Sequence, residues 1–167
     1  MDVQIREMKD RDTFIWAEMR AQLWPDDASQ AHAEATGKII QDKDIWGFIA
    51  EISRGDPAGF AEVAMRKYAN GCESQPVPFL EGIWVNPQFR RQAVGMRLIE
   101  HLAAFVIARR FHEIGSDTQI DNRTSQVAHP GWGFSETERV VYFRKMWNIS
   151  HRSSLTTAGT VVQPLVS

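Results

Sequence analysis

Phe79-Leu80-Glu81-Gly82-Ile83-Trp84-Val85, followed by Arg90-Arg91-Gln92-Ala93-Val94-Gly95, is the stretch that decides how this chain folds. Its first part is rich in apolar, aromatic and β-branched side chains and ends at Asn86-Pro87, so it reads as a strand. Beyond the glycine, Leu98, Leu102, Phe105 and Val106 recur at helical spacing, which predicts a helix over Gly95 to Arg110. Phe111 to Ser116 is short and apolar enough for a buried strand. Strand, helix and strand in that order imply a parallel pair joined by a right-handed crossover.

Upstream, the pattern is that of antiparallel strands. Val3 to Met8 alternates loosely and reads as a first strand. Asp10 or Asp12 can cap a helix carrying Trp16, Met19 and Leu23, broken at Trp24-Pro25 because the residue before proline avoids helical dihedrals. Ser29 can cap a second helix ending near Gln41. Ile45 to Ile52 and Gly59 to Arg66 read as a hairpin around the turn Arg54-Gly55-Asp56-Pro57. A polar loop follows from Ala69 to Pro78. Downstream, Asn122 to Ala128 reads as a brief helix, with Asp121 or Asn122 able to cap it. Glu136 to Lys145 reads as a last strand. From Asn148 the composition turns to serine, threonine and small residues, so we expect a domain over 1–147 and a tail over 148–167. The fold class is α/β.

Composition narrows the function. The 167 residues are 43% hydrophobic and 24% charged, which is globular, and the formal net charge of -2 lacks the basic excess of a nucleic-acid binder. Leu102 to Ala108, the longest wholly apolar run, is far shorter than the ~20 residues a bilayer demands. Asp2 and Arg6 near the start predict no secretory signal. The single cysteine, Cys72, allows no internal disulfide and fits a reducing compartment, so a cytoplasmic protein is expected. No histidine or cysteine cluster has metal-ligand spacing, and no metal is expected.

Arg90 and Arg91 precede a helix start, where unpaired N–H groups and the helix dipole favour an anion such as a phosphate. This loop resembles the acetyl-CoA signature of the GNAT superfamily of N-acetyltransferases, Gln/Arg-x-x-Gly-x-Gly/Ala. Arg90 holds the first position, Ala93 stands where glycine is usual, and Gly95 completes the pattern. Asn122, His129 and Gly133-Phe134 fall where that superfamily places its pantetheine-contacting asparagine, its frequent tyrosine acid and its Gly-Phe strand start. Three blocks are similar to the aminoglycoside 6′-N-acetyltransferases within it. They are Leu23-Trp24-Pro25; Asn70-Gly71-Cys72-Glu73-Ser74 with Phe79 to Ile83; and Ser116-Asp117-Thr118 with Thr137-Glu138-Arg139-Val140. The resemblance runs from about Met1 to Lys145.

It implies the GNAT fold, a mixed and mostly antiparallel sheet with a central parallel βαβ unit. It also implies acetyl-CoA as donor, the 6′ amine of an aminoglycoside as acceptor, and a homodimer, with neither nucleic acid nor membrane as partner. Cofactor contacts are implied at Ile83, Val85, Arg90, Arg91, Gln92, Ala93, Val94, Gly95, Met96 and Asn122, and the oxyanion donor is the backbone N–H of Ile83.

The residues themselves suggest the remaining roles. An amine is mostly protonated near neutral pH, so transfer needs a proton acceptor. Glu81, beside the cofactor loop, is the first candidate, with substrate binding, simple exposure on the strand or a pair with an arginine as its alternatives. Asp117 at a strand's carboxyl edge and Glu138 suit a substrate ammonium. His129 can protonate the leaving thiolate, with a structural role as its alternative and Pro130-Gly131 expected to shorten or break its helix; Tyr142 is a second acid candidate, with strand packing as its alternative. Trp24 and Tyr68 can wall a cationic sugar through their aromatic faces, with packing as the alternative for Trp24. Acetylation of a polyamine or other small amine, and a non-catalytic acyl-CoA-binding module, are the rival readings.

Overall fold

Phe48, Ile49 and Ala50 are all buried, yet they belong to two different cores. This follows from the two-residue period of a strand covered on both faces. The computed structural model describes residues 2–52 and 55–147. Strands β1 (Val3–Glu7), β2 (Ile45–Ile52), β3 (Pro57–Arg66), β4 (Val77–Val85) and β5 (Gly115–Ser116) form one sheet in the order β1-β2-β3-β4-β5. The first four are antiparallel, and β4 and β5 are parallel. This is the α/β sheet expected, with its parallel unit built across helix α3 (Val94–Ala108).

On one face α3 lays Val94, Leu98, Ile99 and Leu102 against Phe48, Ala61, Val63 and Leu80. Phe105 closes that side edge-on to Phe48, with ring centroids 4.9 Å apart. On the other face helix α1 (Thr13–Leu23) puts Trp16 and Met19 on Ile49 and Phe60. Helix α2 (Ser29–Ile39) packs on α1 through Thr36, whose hydroxyl donates to the Thr13 carbonyl at 3.2 Å. Gly47 is required beneath Trp16, because a Cβ there would lie 2.4 Å from the indole.

Several local expectations are corrected. Neither Asp10 nor Asp12 caps α1 through its side chain. Asp12 instead takes two hydrogen bonds from Arg6, at 2.7 and 2.8 Å, and one from the Lys9 N–H. A charged, forked donor outcompetes a backbone amide for a carboxylate. Ser29 is the first residue of α2 rather than its cap, a position held by Ala28. Only Gly115 and Ser116 of the expected Phe111–Ser116 strand pair with β4. The expected strand over Glu136 to Lys145 is absent: residues 134–147 are neither helix nor strand, since no neighbour offers them a ladder. The hairpin turn falls partly, and the tail over 148–167 wholly, outside the described residues. Among the described residues no helix is long and apolar enough to cross a membrane.

Arg6 bridges Asp12 and Glu51, with bonds to Glu51 of 2.9 and 2.6 Å, and so ties β1 and β2 to the turn before α1. Arg6 holds the Asp12 carboxyl below its ordinary range, so this stabilisation is complete above the unfolded value near ~4 and is lost as pH falls through the folded one. Arg6→Met is expected to cost about 2 kcal/mol at pH 7. Urea titrations should show that deficit shrinking toward pH 2.5; an equal deficit at both pH values would place the loss elsewhere.

Candidate active site

The parallel ladder is only two pairs long, Phe79↔Gly115 and Leu80↔Ser116. From Glu81 to Val85 the β5 side of β4 has no strand partner among the described residues, so its polar backbone is free to receive an extended ligand. Ile83 and Val85 lie in this open section, partly buried against the α3 core.

The chain then passes through the loop to α3. Arg91 and Ala93 both adopt left-handed backbone, at φ 59° and 62°, and Ala93 is the N-cap. The first intrahelical bond runs from the Arg97 N–H to the Ala93 carbonyl at 2.9 Å. The N–H groups of Val94, Gly95 and Met96 therefore precede it and point out of the helix start. Arg90 and Arg91 are exposed beside them, and Arg90 is braced by its Nε donating to the Val85 carbonyl at 3.1 Å. Gln92 likewise donates to the Gln88 carbonyl at 2.9 Å. Unpaired donors, dipole and two guanidinium groups fit the phosphates of a nucleotide cofactor. Gly95 serves packing as well: a Cβ there would meet the Trp132 ring at 2.8 Å.

Left-handed backbone costs a non-glycine residue about 1 kcal/mol. Ala93→Gly is expected to raise thermal stability by up to about 1 kcal/mol, with acetyl-CoA affinity retained. Differential scanning calorimetry tests this, and a lower melting temperature would count against strain at Ala93.

A cleft of about 1170 Å³ opens beside β5, lined by residues 66–70, 116–121 and 134–142 with His129. Tyr68, Asp117, Glu138 and Tyr142 all stand on it, with Asp121 and Glu136 adding further carboxylates. Thr137 covers Gly71 and leaves no room for a side chain there, at a residue whose φ of +74° already favours glycine. Glu136 is paired with Arg139.

Glu81 is one step removed from this cleft. Arg66 grips it in a fork, Nε to Oε1 at 2.7 Å and the second nitrogen to Oε2 at 2.6 Å. The same guanidinium lies 3.5 Å over the Phe79 ring and reaches within 3.9 Å of Asp117. The Glu81 bond raises the Arg66 pKa above its ordinary value, so the arginine stays charged. Each Glu81 oxygen still keeps a lone pair. Trp24 lies across Gly82, where a Cβ would sit 2.6 Å from the indole. It is half-buried, edge-on to Phe60 at 6.4 Å and stacked under Arg20 at 4.6 Å. Arg20 in turn pairs with buried Glu62, which also accepts from the Trp16 indole N–H at 2.6 Å. Trp24 thus belongs to the core edge adjoining the cleft, not to the cleft lining.

Helix α4 (Arg123–Gly131) is capped by Asn122, whose Oδ1 accepts from the Ser125 N–H at 3.1 Å. Asn122 carries this structural duty in addition to its implied place at the cofactor. Pro130 does not break α4. It sits in the last turn, and the Trp132 N–H closes the helix on the Ala128 and His129 carbonyls. His129 therefore holds a fixed place. Its Nδ1 is 2.8 Å from the Ser125 carbonyl, its Nε2 is 2.9 Å from the Ser116 hydroxyl, and Phe134 packs edge-on at 5.1 Å. Tyr142 is 79% exposed, so it has no wall to orient its hydroxyl.

Sequence reasoning passed over Arg66, Ser116 and Ser125. The four-residue spacing of Ser125 and His129 on one helix face was a usable signal; the other contacts are long-range. Cys72 is a packing residue against Gly115, and burial pushes its thiol pKa up, away from reactivity. Among the described residues no group of three or more histidine, cysteine, aspartate or glutamate side chains is placed to hold a metal ion.

Comparison with known proteins fits this geometry. The acetyltransferase (GNAT) family profile matches residues 6–134. An aminoglycoside N(6′)-acetyltransferase type 1 from Salmonella enteritidis is 40% identical over 86% of this chain and 99% of its own length. One from Stenotrophomonas maltophilia is 39% identical over 84% of this chain and 91% of its own. Among solved structures, AAC(6′)-Iy in complex with the bisubstrate analog CoA-S-monomethyl-acetylneamine superposes with a TM-score of 0.82. It is 38% identical, covering 88% of this chain and 100% of that one. The 6′-N-acetyltransferase AAC(6′)-Ih from Acinetobacter baumannii also scores 0.82, at 31% identity over 87% of this chain and 99% of its own. With the open β4 edge, the helix-start anion site and this likeness over nearly the whole described chain, the protein belongs to the GNAT acetyltransferases, in the group of the aminoglycoside 6′-N-acetyltransferases.

Proposed function

We propose that this protein transfers the acetyl group of acetyl-CoA to the 6′-amino group of aminoglycosides, by direct attack with both substrates bound, and so confers resistance. The observation that carries this reading is the convergence of Asp117, Asp121, Glu136 and Glu138 on one cleft beside the open edge of β4. A polycationic acceptor suits those carboxylates, and the α3 start with Arg90 and Arg91 suits the anionic donor. The donor's phosphates would be held by the N–H groups of Val94, Gly95 and Met96 with Gln92 and Ala93 shaping the loop. Its extended arm would lie along Ile83 and Val85 toward Asn122. Acetyl-CoA supplies the activated acyl group; the chain supplies position and proton management.

Glu81 accepts the proton of the 6′ ammonium, directly or through one water, with Arg66 fixing the carboxylate's orientation. Asp117 and Glu138 hold other ammonium groups, and Tyr68 offers its face to a sugar ring. The Ile83 N–H stabilises the developing oxyanion. His129 is the source of the proton returned to the thiolate, and Trp24 supports the acceptor from behind Gly82.

Thiol release from acetyl-CoA should be measured with kanamycin-type and gentamicin-type acceptors, each beside its 6′-hydroxyl counterpart. We expect turnover only where the 6′ group is an amine. Equal turnover of the hydroxyl compounds would overturn the regiochemistry, and turnover of polyamines alone would favour the small-amine reading.

The active species is a homodimer in the cytoplasm. Support for the dimer comes from one exposed apolar run, Val140, Val141, Tyr142, Phe143, Met146 and Trp147, in which Phe143 is 93% exposed. A monomer rarely leaves so many large apolar side chains in water along one segment, and a second copy would cover those outside the cleft. Sedimentation equilibrium tests this, with a monomer at micromolar concentration as the contrary result.

A further inference from the structure

Ser116 and His129 form a hydrogen-bonded pair whose proton positions follow from their surroundings. The Ser125 carbonyl can only accept, so the Nδ1 facing it at 2.8 Å carries a hydrogen. In the neutral ring Nε2 is then an acceptor, and the Ser116 hydroxyl, 2.9 Å away, donates to it. In the protonated ring Nε2 donates instead, and the Ser116 hydroxyl proton is released to turn elsewhere. Among the described residues the other acceptor near that hydroxyl is the Leu80 carbonyl at 3.5 Å, a poor competitor.

Ser116 also occupies a particular place. It is the last residue of β5 paired with β4, so its side chain stands where the two strands part, and it lines the cleft together with His129. The imidazole is half-buried behind it, between Trp132 and Phe134 at 5.5 and 5.1 Å. Both ring nitrogens are taken by Ser116 and Ser125. Ser125 also sets its hydroxyl 3.2 Å from Nδ1, so the route that leads to the end of β5 is the one from Nε2 through the Ser116 oxygen.

We infer that Ser116 is a catalytic residue of the acetyl transfer, handing its hydroxyl proton to the leaving thiolate while His129 refills it. This rests on the acetyltransferase reading above. As the amine nitrogen bonds to the acyl carbon, the C–S bond breaks and sulfur leaves with the electron pair. Sulfur takes the Ser116 hydroxyl proton, and the serine oxygen takes the Nε2 proton of the His129 imidazolium. Neutral imidazole remains and is reprotonated from solvent. One proton has left the attacking amine through Glu81 and one has been delivered to sulfur, so the exchange balances. His129 acts through Ser116 and is a positioning and relay residue.

Two measurements test this on the full chain. Side-chain nitrogen NMR of the wild type above the histidine titration range should show His129 as the Nδ1–H tautomer; the Nε2–H tautomer would overturn the relay. Single-turnover acetyl transfer to a 6′-amino acceptor should slow about tenfold in Ser116→Ala, at unchanged acetyl-CoA affinity and melting temperature, and Ser116→Thr should recover most of the rate. A Ser116→Ala rate within twofold of wild type, or a loss matched by weakened acetyl-CoA binding, would overturn the proposal. If the wild type transfers acetyl to no amine, the acetyltransferase reading fails and the relay with it. Transfer by the wild type that is indifferent to Ser116 removes the relay alone.

Discussion

Glu81→Gln is expected to lower kcat/KM for 6′-amino aminoglycosides at pH 7 by about 100-fold, the low end of what a positioned general base contributes. Glutamine preserves the shape of the side chain but cannot accept a proton from the ammonium. It also turns an amide group toward Arg66, which now grips both carboxylate oxygens. The loss should fall on kcat, because the base acts as the bond forms. Steady-state kinetics with both substrates varied decides the role. An increase in aminoglycoside KM with kcat unchanged would reassign Glu81 to substrate binding, and a loss below threefold would remove it from the reaction. Since Arg66 orients this carboxylate, part of the effect should be mimicked by Arg66→Gln.

Asp117→Asn is expected to raise the aminoglycoside KM about 30-fold, or about 2 kcal/mol, within the range for a hydrogen bond to a charged group. Acetyl-CoA affinity should hardly change, because Asp117 lines the cleft proposed for the acceptor, away from the α3 start proposed for the donor. The carboxylate is largely exposed, at 70% of its side-chain surface. Its worth should therefore shrink as salt rises and screening takes hold. Calorimetry of each substrate alone separates the two sites. A larger loss for acetyl-CoA than for the aminoglycoside would contradict the assignment.

Arg66 connects these two results. Its guanidinium touches Glu81, approaches Asp117 and stacks on Phe79. Without it, the Glu81 carboxylate would lose the fork that fixes its orientation behind the cleft on which Asp117 stands. That arrangement depends on β3 and β4 lying side by side, with a register shift between Glu62 and Val63. Nothing in the local sequence around Arg66 or Glu81 announces the pairing.

Local pattern was enough for what local forces make. Helix α3 was legible because its apolar residues recur at the helical period and bury one face. Strands β1 to β4 were legible because β-branched and aromatic runs lie between clear turn residues. The helix start behind Arg90 and Arg91 was legible because the apolar period begins directly after that loop. Ala93 was recognised as standing where glycine is usual, and its backbone is left-handed all the same. The segment over Glu136 to Lys145 misled for the converse reason. Its alternation is that of a strand, but a strand exists only with a neighbour, and the described chain provides none.

By itself the sequence determined the antiparallel strands, the parallel βαβ unit that follows them and the family, since each rests on neighbours along the chain or on separated blocks in register. Tertiary structure alone decided how the candidate site is wired. Glu81 meets Arg66 across two strands, Trp24 lies against Gly82, and Ser116 faces His129 from another element. These contacts join residues distant in sequence, and their geometry is set by packing and strand register, which no local propensity contains.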